Sequence, residues 1–239
     1  MGSTRLPGKI LKPFYKNYCI LDIILENLQK VKDVKIIVAT SISPDNDNLE
    51  NYLLQKGILV YRGSEDDVLE RFIRAAEMYK IDGIIRVCSD NPFIDYKGVN
   101  LLIEKAKKSN ADYIGYRVNG MPSIRTHFGF WGEFVTLKSL CKVYGISDDL
   151  SEHEHVTSHI YTHPKDFNCE WIECPPFLQG RDDIRLTIDT EEDMENARKV
   201  YHYLRREYIY FGLEDVVAFL DSHSEYRSSM QKIIKQNNK

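Results

Sequence analysis

Two rhythms of apolar residues alternate along this chain. Val34-Lys-Ile-Ile-Val-Ala39 is a β-branched run that predicts a buried strand, and upstream Ile20, Ile23, Ile24, Leu28 and Val31 recur at helical spacing. The pattern then predicts a short helix over 49–55, a strand over 57–61, and a strongly amphipathic helix over 67–80. That last helix carries Val68, Leu69, Phe72, Ala75, Ala76 and Tyr79 on one face. Gly83-Ile-Ile-Arg-Val87 predicts another buried strand, followed by a loop, a helix over about 98–108 and an extended stretch over 111–116.

Helices set between buried strands predict an α/β fold, a mostly parallel sheet covered on both faces. Residues 122–174 break the rhythm with Gly, His and aromatics, a helix near 133–143 and another near 150–161. They read as an inserted subregion for an acceptor or a partner subunit. Rhythm returns with a strand at Ile184-Arg-Leu-Thr-Ile188 and a helix with Thr190 as N-cap and Asp193 at N3. The expected organisation is one domain over 1–212 with this insertion, then a tail of two polar helices over 213–239.

Composition narrows the class. The chain has 239 residues, 43% hydrophobic and 28% charged, as in an ordinary soluble domain. A formal net charge of −4 gives no global basic field for nucleic acid or acidic membranes. No apolar run approaches the roughly 20 residues of a membrane span, and no signal peptide is evident. The five cysteines are scattered and never spaced C-x-x-C, so neither a zinc knuckle nor a disulfide framework is expected. The expected compartment is the cytoplasm.

Candidate chemistry begins with the opening MGSTRLPGK. Gly2 and Gly8 permit close backbone approach, while Ser3, Thr4, Arg5 and Lys9 supply donors and positive charge suited to a triphosphate. It is not a P-loop: five residues separate Gly2 from Gly8, and Ile10 stands where the magnesium-binding hydroxyl belongs. The plain alternative is a weakly ordered terminus. Asp90, in Cys88-Ser-Asp-Asn-Pro-Phe93, and Asp189, in Leu186-Thr-Ile-Asp-Thr-Glu-Glu-Asp193, each follow a predicted strand. Two carboxylates at strand ends can share a hard divalent cation with phosphate oxygens; the plain reading of either is a turn former. Gly63, Ser64, Asp67 and Arg71, between a strand and a helix, fall on the same edge as candidate base or ribose contacts, against a plain helix start.

Other patterns carry less. Asp45-Asn-Asp47 mimics the D-x-D of glycosyltransferases but reads better as a solvated turn. His153, His155 and His159 cluster, but a zinc site would want an acid or a third convergent ligand, and they read better as an interface or acceptor contact. Phe128, Phe130 and Trp131 read as packing or dimer surface.

Taken in order, Met1-Gly-Ser-Thr-Arg-Leu-Pro-Gly-Lys9, Arg62-Gly-Ser-Glu-Asp-Asp-Val-Leu-Glu-Arg71, Ser89-Asp-Asn-Pro-Phe-Ile-Asp95, Glu154-His-Val-Thr157 and Arg185-Leu-Thr-Ile-Asp-Thr-Glu-Glu-Asp193 resemble one family. It is the cytidylyltransferases of the spore-coat polysaccharide biosynthesis protein F type, relatives of the synthetases of CMP-linked sugar acids. The resemblance implies a Rossmann-like nucleotidyltransferase fold holding CTP and Mg2+ at the sheet's carboxyl edge. By motif, Gly2, Ser3, Arg5 and Lys9 would grip the triphosphate, and Gly63, Ser64 and Asp67 would lie near cytosine or ribose. Asp90 and Asp189 would hold the metal, with Asp90 also beside the nucleotide, and Glu154 and His155 would face the acceptor or a dimer contact. The chain departs from the family in lacking the hydrophobic strand ending in Gln-Ala-Arg before the loop, and in the segment 119–134.

The function expected is transfer of CMP from CTP to a sugar, sugar acid or phosphorylated metabolite by a homodimer, with pyrophosphate released. The alternatives are a truncated, non-catalytic nucleotide-binding partner and a glycosyltransferase using a sugar nucleotide. A phosphate loop of this kind is normally launched by the first, central strand of a sheet. The expectation is therefore of a truncated or mis-started chain, marginally stable and weakly active.

Overall fold

The computed structural model describes residues 5–236, so Gly2 and Ser3 lie outside the described residues. A small antiparallel hairpin, β1 (Pro13–Tyr15) and β2 (Tyr18–Cys19), leads into helix α1 (Ile20–Leu28). Buried Asp22 starts that helix by accepting the Cys19 amide at 2.8 Å and is held by Lys56 at 2.9 Å. Strand β3 (Ile37–Ser41), helix α2 (Asp47–Gln55) and strand β4 (Leu59–Gly63) form a β-α-β unit with β3 and β4 parallel. Helix α3 (Val68–Tyr79) follows, capped by the Asp67 side chain and ended by Lys80 in the left-handed region.

Next come β5 (Gly83–Arg86), α4 (Tyr96–Ala106), β6 (Tyr113–Val118) and the short β7 (Met121–Pro122). Strand β8 (Glu133–Thr136), helices α5 (Leu137–Ile146), α6 (Leu150–Glu154) and α7 (Ser158–Thr162), and strand β9 (Cys169–Glu173) complete the middle of the chain. Helices α8 (Glu191–Glu207), α9 (Leu213–Ser222) and α10 (Ser224–Gln236) close it.

The α/β expectation holds, but the sheet is mixed rather than mostly parallel. Strand β8 lies antiparallel to both β5 and β6, while β9 pairs with β6 in parallel. Two of these strands, β8 and β9, come from 122–174, so that region is woven into the sheet. The helix expected from Glu133 begins only at Leu137, because the Glu133–Thr136 segment pairs with β5 and buries Glu133 and Val135. There the Glu133 carboxylate takes Arg86 at 2.9 Å, the Tyr113 hydroxyl and Thr157, a buried polar cluster with every partner supplied. The helix expected over 150–161 is broken into α6 and α7 at Val156, a buried residue with φ of 48°.

Three further expectations are corrected. Of the two readings of Phe128, Phe130 and Trp131, packing holds and dimer surface does not: they are 3%, 0% and 5% exposed and belong to the main core. Phe128 stacks on Phe130 and Trp131 stacks on Tyr116, so these aromatics leave no apolar face for a partner to cover. The stretch 184–188 joins no strand ladder among the described residues. It runs extended, with the Leu186 amide donating to His127 O at 2.9 Å and the Ile188 amide to Asp90 O at 3.0 Å. Helices α9 and α10 are not polar all round either, since Leu213, Val216, Leu220 and Met230 enter the main core.

The sheet is also interrupted. Strand β3 pairs only with β4, and β5 only with β8, among the described residues. A cavity of about 830 Å³ lies between β3 and β5. The strands expected to be buried at 34–39 and 83–87 are half-buried over 36–39 and 84–87.

Candidate active site

Gly8, with φ of 66°, starts a single 3-10 turn, Lys9–Leu11. This turn sends the Lys9 side chain inward until only 11% of it stays exposed. Its ammonium donates to Asp90 Oδ2 at 3.1 Å and to the Ile188 carbonyl at 2.5 Å, and lies 3.6 Å from Asp189 Oδ1. Arg5 reaches the same Asp189 oxygen at 3.5 Å. The loop, the turn after β5 and the residue ahead of α8 thus converge at one point, although some 80 to 180 positions separate them in sequence.

What fixes Asp189 lies beneath it. Arg185 is 2% exposed, and its guanidinium is divided among three acceptors. Nε and Nη2 grip both Asp193 oxygens at 2.7 and 3.0 Å, Nη2 also reaches Asp189 Oδ2 at 2.9 Å, and Nη1 donates to His127 Nδ1 at 2.6 Å. Burial works against the Arg185 charge, but the Asp193 and Asp189 carboxylates outweigh it and hold its pKa above the ordinary arginine value. Asp193 Oδ2 in turn accepts the amides of Asp189 and Thr190 at 3.0 and 2.8 Å, closing the capping box of α8. Arg185 was missed as a site residue, and the signal was available: a charge inside an apolar strand-like run, with Asp four and eight positions on.

The donor set suits a hard divalent cation. Two carboxylates from different segments already share one cation, the Lys9 ammonium, and both offer oxygen. Asp90 also lines the large cavity, beside Gly8, Lys9, Ser89 and Arg71. A second, small cavity of about 70 Å³ is lined by Asp90 too, with Asn91, Ser123, Thr126 and Thr187.

The other predicted positions are placed differently. Gly63 ends β4 and accepts the Ile42 amide, while the Ser64 carbonyl takes Arg71 at 2.6 Å. Arg71 itself lines the large cavity, and its Nε is buried without a partner among the described residues. Asp67 is committed twice, as the cap accepting the Glu70 amide at 2.7 Å and as the partner of His153 Nδ1 at 2.7 Å. Glu154 and His155 are exposed and line neither cavity. The three histidines of the loop do not assemble either: His153 turns to Asp67, and His159 turns to Glu152 at 2.8 Å and stacks on His163.

His153 gives a pH prediction. Its two ring nitrogens face Asp67 Oδ2 at 2.7 Å and the Ser147 carbonyl at 2.9 Å, and the Tyr144 ring packs beside it. Burial opposes its charge, but Ser147, Asp67 and nearby Asp148 prevail and raise its pKa above 6.5. A raised folded-state pKa contributes stability that is complete below the unfolded value of about 6.5 and is lost as pH rises through the folded value. The expected Tm therefore falls across that window, and Asp67→Asn, which keeps a capping oxygen, flattens the profile. Equal slopes in the two proteins contradict the assignment.

Comparison with known proteins then places the chain. A family model described as cytidylyltransferase matches residues 1–218. The chain belongs to the cytidylyltransferase family. It is a CTP-dependent nucleotidyltransferase. It is 35% identical over 210 residues to the spore coat polysaccharide biosynthesis protein SpsF of Bacillus subtilis, covering 84% of this chain and 82% of that protein. It is also 34% identical over 230 residues to an uncharacterized protein of Methanocaldococcus jannaschii, covering 95% and 89% of the two. Among solved structures, a cytidylyltransferase from Leptospira borgpetersenii superposes with a TM-score of 0.82 at 29% identity, covering 95% of this chain and 92% of that one. Among the described residues no helix is long and apolar enough to cross a membrane.

Proposed function

We propose that this cytidylyltransferase works at the Lys9–Asp90–Asp189 cluster. There it transfers CMP from CTP to a sugar, sugar acid or phosphorylated acceptor of cell-surface polysaccharide synthesis in the cytoplasm. The observation that carries the reading is the meeting of Lys9 with two carboxylates from distant segments, beside Arg5, at the carboxyl end of β5. Likeness to SpsF supports the polysaccharide setting.

In this reading an acceptor oxygen attacks the α-phosphorus of CTP. A new P–O bond forms, the bond to the β-phosphate breaks, and pyrophosphate leaves as the acceptor proton passes to solvent. Lys9 and Arg5 turn from the carboxylates to the triphosphate and neutralise the departing charge, with Gly2, Ser3 and Arg71 as further donors. Asp90 and Asp189 hold Mg2+, which when bound acts as a Lewis acid on the phosphate oxygens. Gly63 and Ser64 sit near cytosine or ribose; Asp67 acts through the α3 cap. The polar lining of the small cavity at Asn91, Ser123 and Thr187 takes the acceptor's reacting end, and Glu154 and His155 remain outer contacts for a larger acceptor.

The test is pyrophosphate release from CTP with magnesium across a panel of sugar, sugar-acid and phosphorylated acceptors. Release with one acceptor class is expected. Tighter binding of a CMP-sugar or UDP-sugar than of CTP, with no release, overturns the reading in favour of a glycosyltransferase. For self-association the reading looks to exposed Ile146, Leu150, Ile209 and Tyr210, and a monomer by light scattering at micromolar concentration removes the homodimer from it.

A further inference from the structure

His159 and His163 stand four positions apart, which puts both rings on one face of α7 and its C-cap. In the folded chain their rings stack with centroids 4.0 Å apart and planes 15° from parallel. The chain turns between α6 and α7 at Val156, in the left-handed region, and brings an acid to the pair: Glu152 Oε2 lies 2.8 Å from His159 Nδ1. One nitrogen from each ring and one Glu152 oxygen lie within 4.8 Å of one another. None of the three residues lines either cavity.

Each member is braced by a second contact. The Ser147 hydroxyl donates to Glu152 Oε2, and the buried Phe167 ring packs edge-on against His159. His163 Nδ1 lies 2.9 Å from the His159 carbonyl, which can only accept, so the ring proton belongs on Nδ1. That leaves the Nε2 lone pair of the neutral ring for a metal, the contact by which imidazole ligands are commonly oriented.

The donor types select the ion. Two imidazoles and a carboxylate suit zinc, whereas Mg2+ prefers oxygen ligands. Tetrahedral zinc bonds of about 2.0–2.2 Å set neighbouring ligand atoms about 3.3 Å apart, so the His159–Glu152 pair has to open by only about half an ångström. Moving the His159 ring proton from Nδ1 to Nε2 frees the Nδ1 lone pair with no change of net charge. His163 is exposed, so water has access to the fourth position.

We propose that Glu152, His159 and His163 bind one zinc ion through a carboxylate oxygen and two neutral imidazoles. Bound there, the ion ties α6 to α7 across the turn at Val156. Helix α6 also carries His153, whose partner is the Asp67 cap of α3, so the ion braces the segment that supports that cap.

The test titrates Zn2+ into the metal-stripped full chain in excess Mg2+, with affinity read by competition against a chromogenic chelator. Histidine ring resonances are followed by NMR in the same titration. One Zn2+ per chain is expected, with the rings of His159 and His163 shifting together. His163→Ala and Glu152→Gln are each expected to weaken binding by about 10-fold or more, at least what the loss of a supporting contact costs a metal site. Asp90→Asn, at the proposed magnesium site, is expected to leave zinc binding unchanged. His163 is exposed and the Gln keeps an oxygen for Ser147, so both cluster variants are expected to melt as the wild type does. Wild-type zinc affinity in either cluster variant, loss of binding in Asp90→Asn, no binding at all, or binding that leaves the two rings unshifted overturns the proposal. None of these readouts depends on CTP turnover.

Discussion

Asp90→Asn is expected to lower CTP turnover by about 100-fold or more, roughly 3 kcal/mol in the transition state, with Tm nearly unchanged. Asp189→Asn is expected to lower turnover as far. The amide keeps the shape of the side chain and removes its charge, so the loss falls on cation binding. Asp90 is partly exposed and its one ion pair among the described residues is with Lys9, so its removal leaves little buried charge behind. Asp189 also faces Arg185 at 2.9 Å, and its variant is expected to lose more stability than the Asp90 variant. Steady-state pyrophosphate release and a magnesium titration check both. Wild-type turnover at ordinary magnesium in either variant removes that carboxylate from the site.

Arg185→Met is expected to cost about 3–5 kcal/mol of stability, because it strands the Asp193 carboxylate in a place that is 1% exposed. For a chain of this length that corresponds to a Tm lowered by roughly 6–20 °C. It also frees Asp189 from its support, so kcat is expected to fall beyond what unfolding explains at a temperature where the variant is folded. The double variant Arg185→Met, Asp193→Asn, which removes the stranded charge and keeps an oxygen for the Asp189 and Thr190 amides, is expected to regain part of the stability, yet not the turnover. A single variant as stable as the wild type in thermal melts contradicts this account of the site.

The small cavity and the buried clusters show how unevenly the chain could be read. Helices α1, α2, α3, α4 and α8 were legible because each carries its own signal: apolar residues at helical spacing, and at α8 a capping side chain. Thr190 was such a cap and stands where that local chemistry puts it, whereas Asp67, read as a nucleotide contact, is found capping α3. The candidates Lys9, Asp90 and Asp189 were legible as residue types at loop and strand ends. Their meeting was not, because nothing in the sequence measures the distance between positions 9, 90 and 189.

Strand β8 was read as helix because Glu133-Phe-Val-Thr136 is too short to state a period, and only pairing with β5 and β6 makes it a strand. Phe128, Phe130 and Trp131 were left between packing and dimer surface for a similar reason: aromatics clustered in a loop look the same on a surface and in a core. The fold decided it by stacking Trp131 on Tyr116. Sequence by itself thus determined the α/β alternation, the helix boundaries set by caps, and which residues carry the candidate chemistry, since propensity, period and capping act within a few residues. Tertiary structure alone decided the mixed strand order and the Arg185 guanidinium holding Asp189 in place. Those depend on which distant segments share a buried volume, and burial and pairing are properties of the packed chain rather than of any stretch of it.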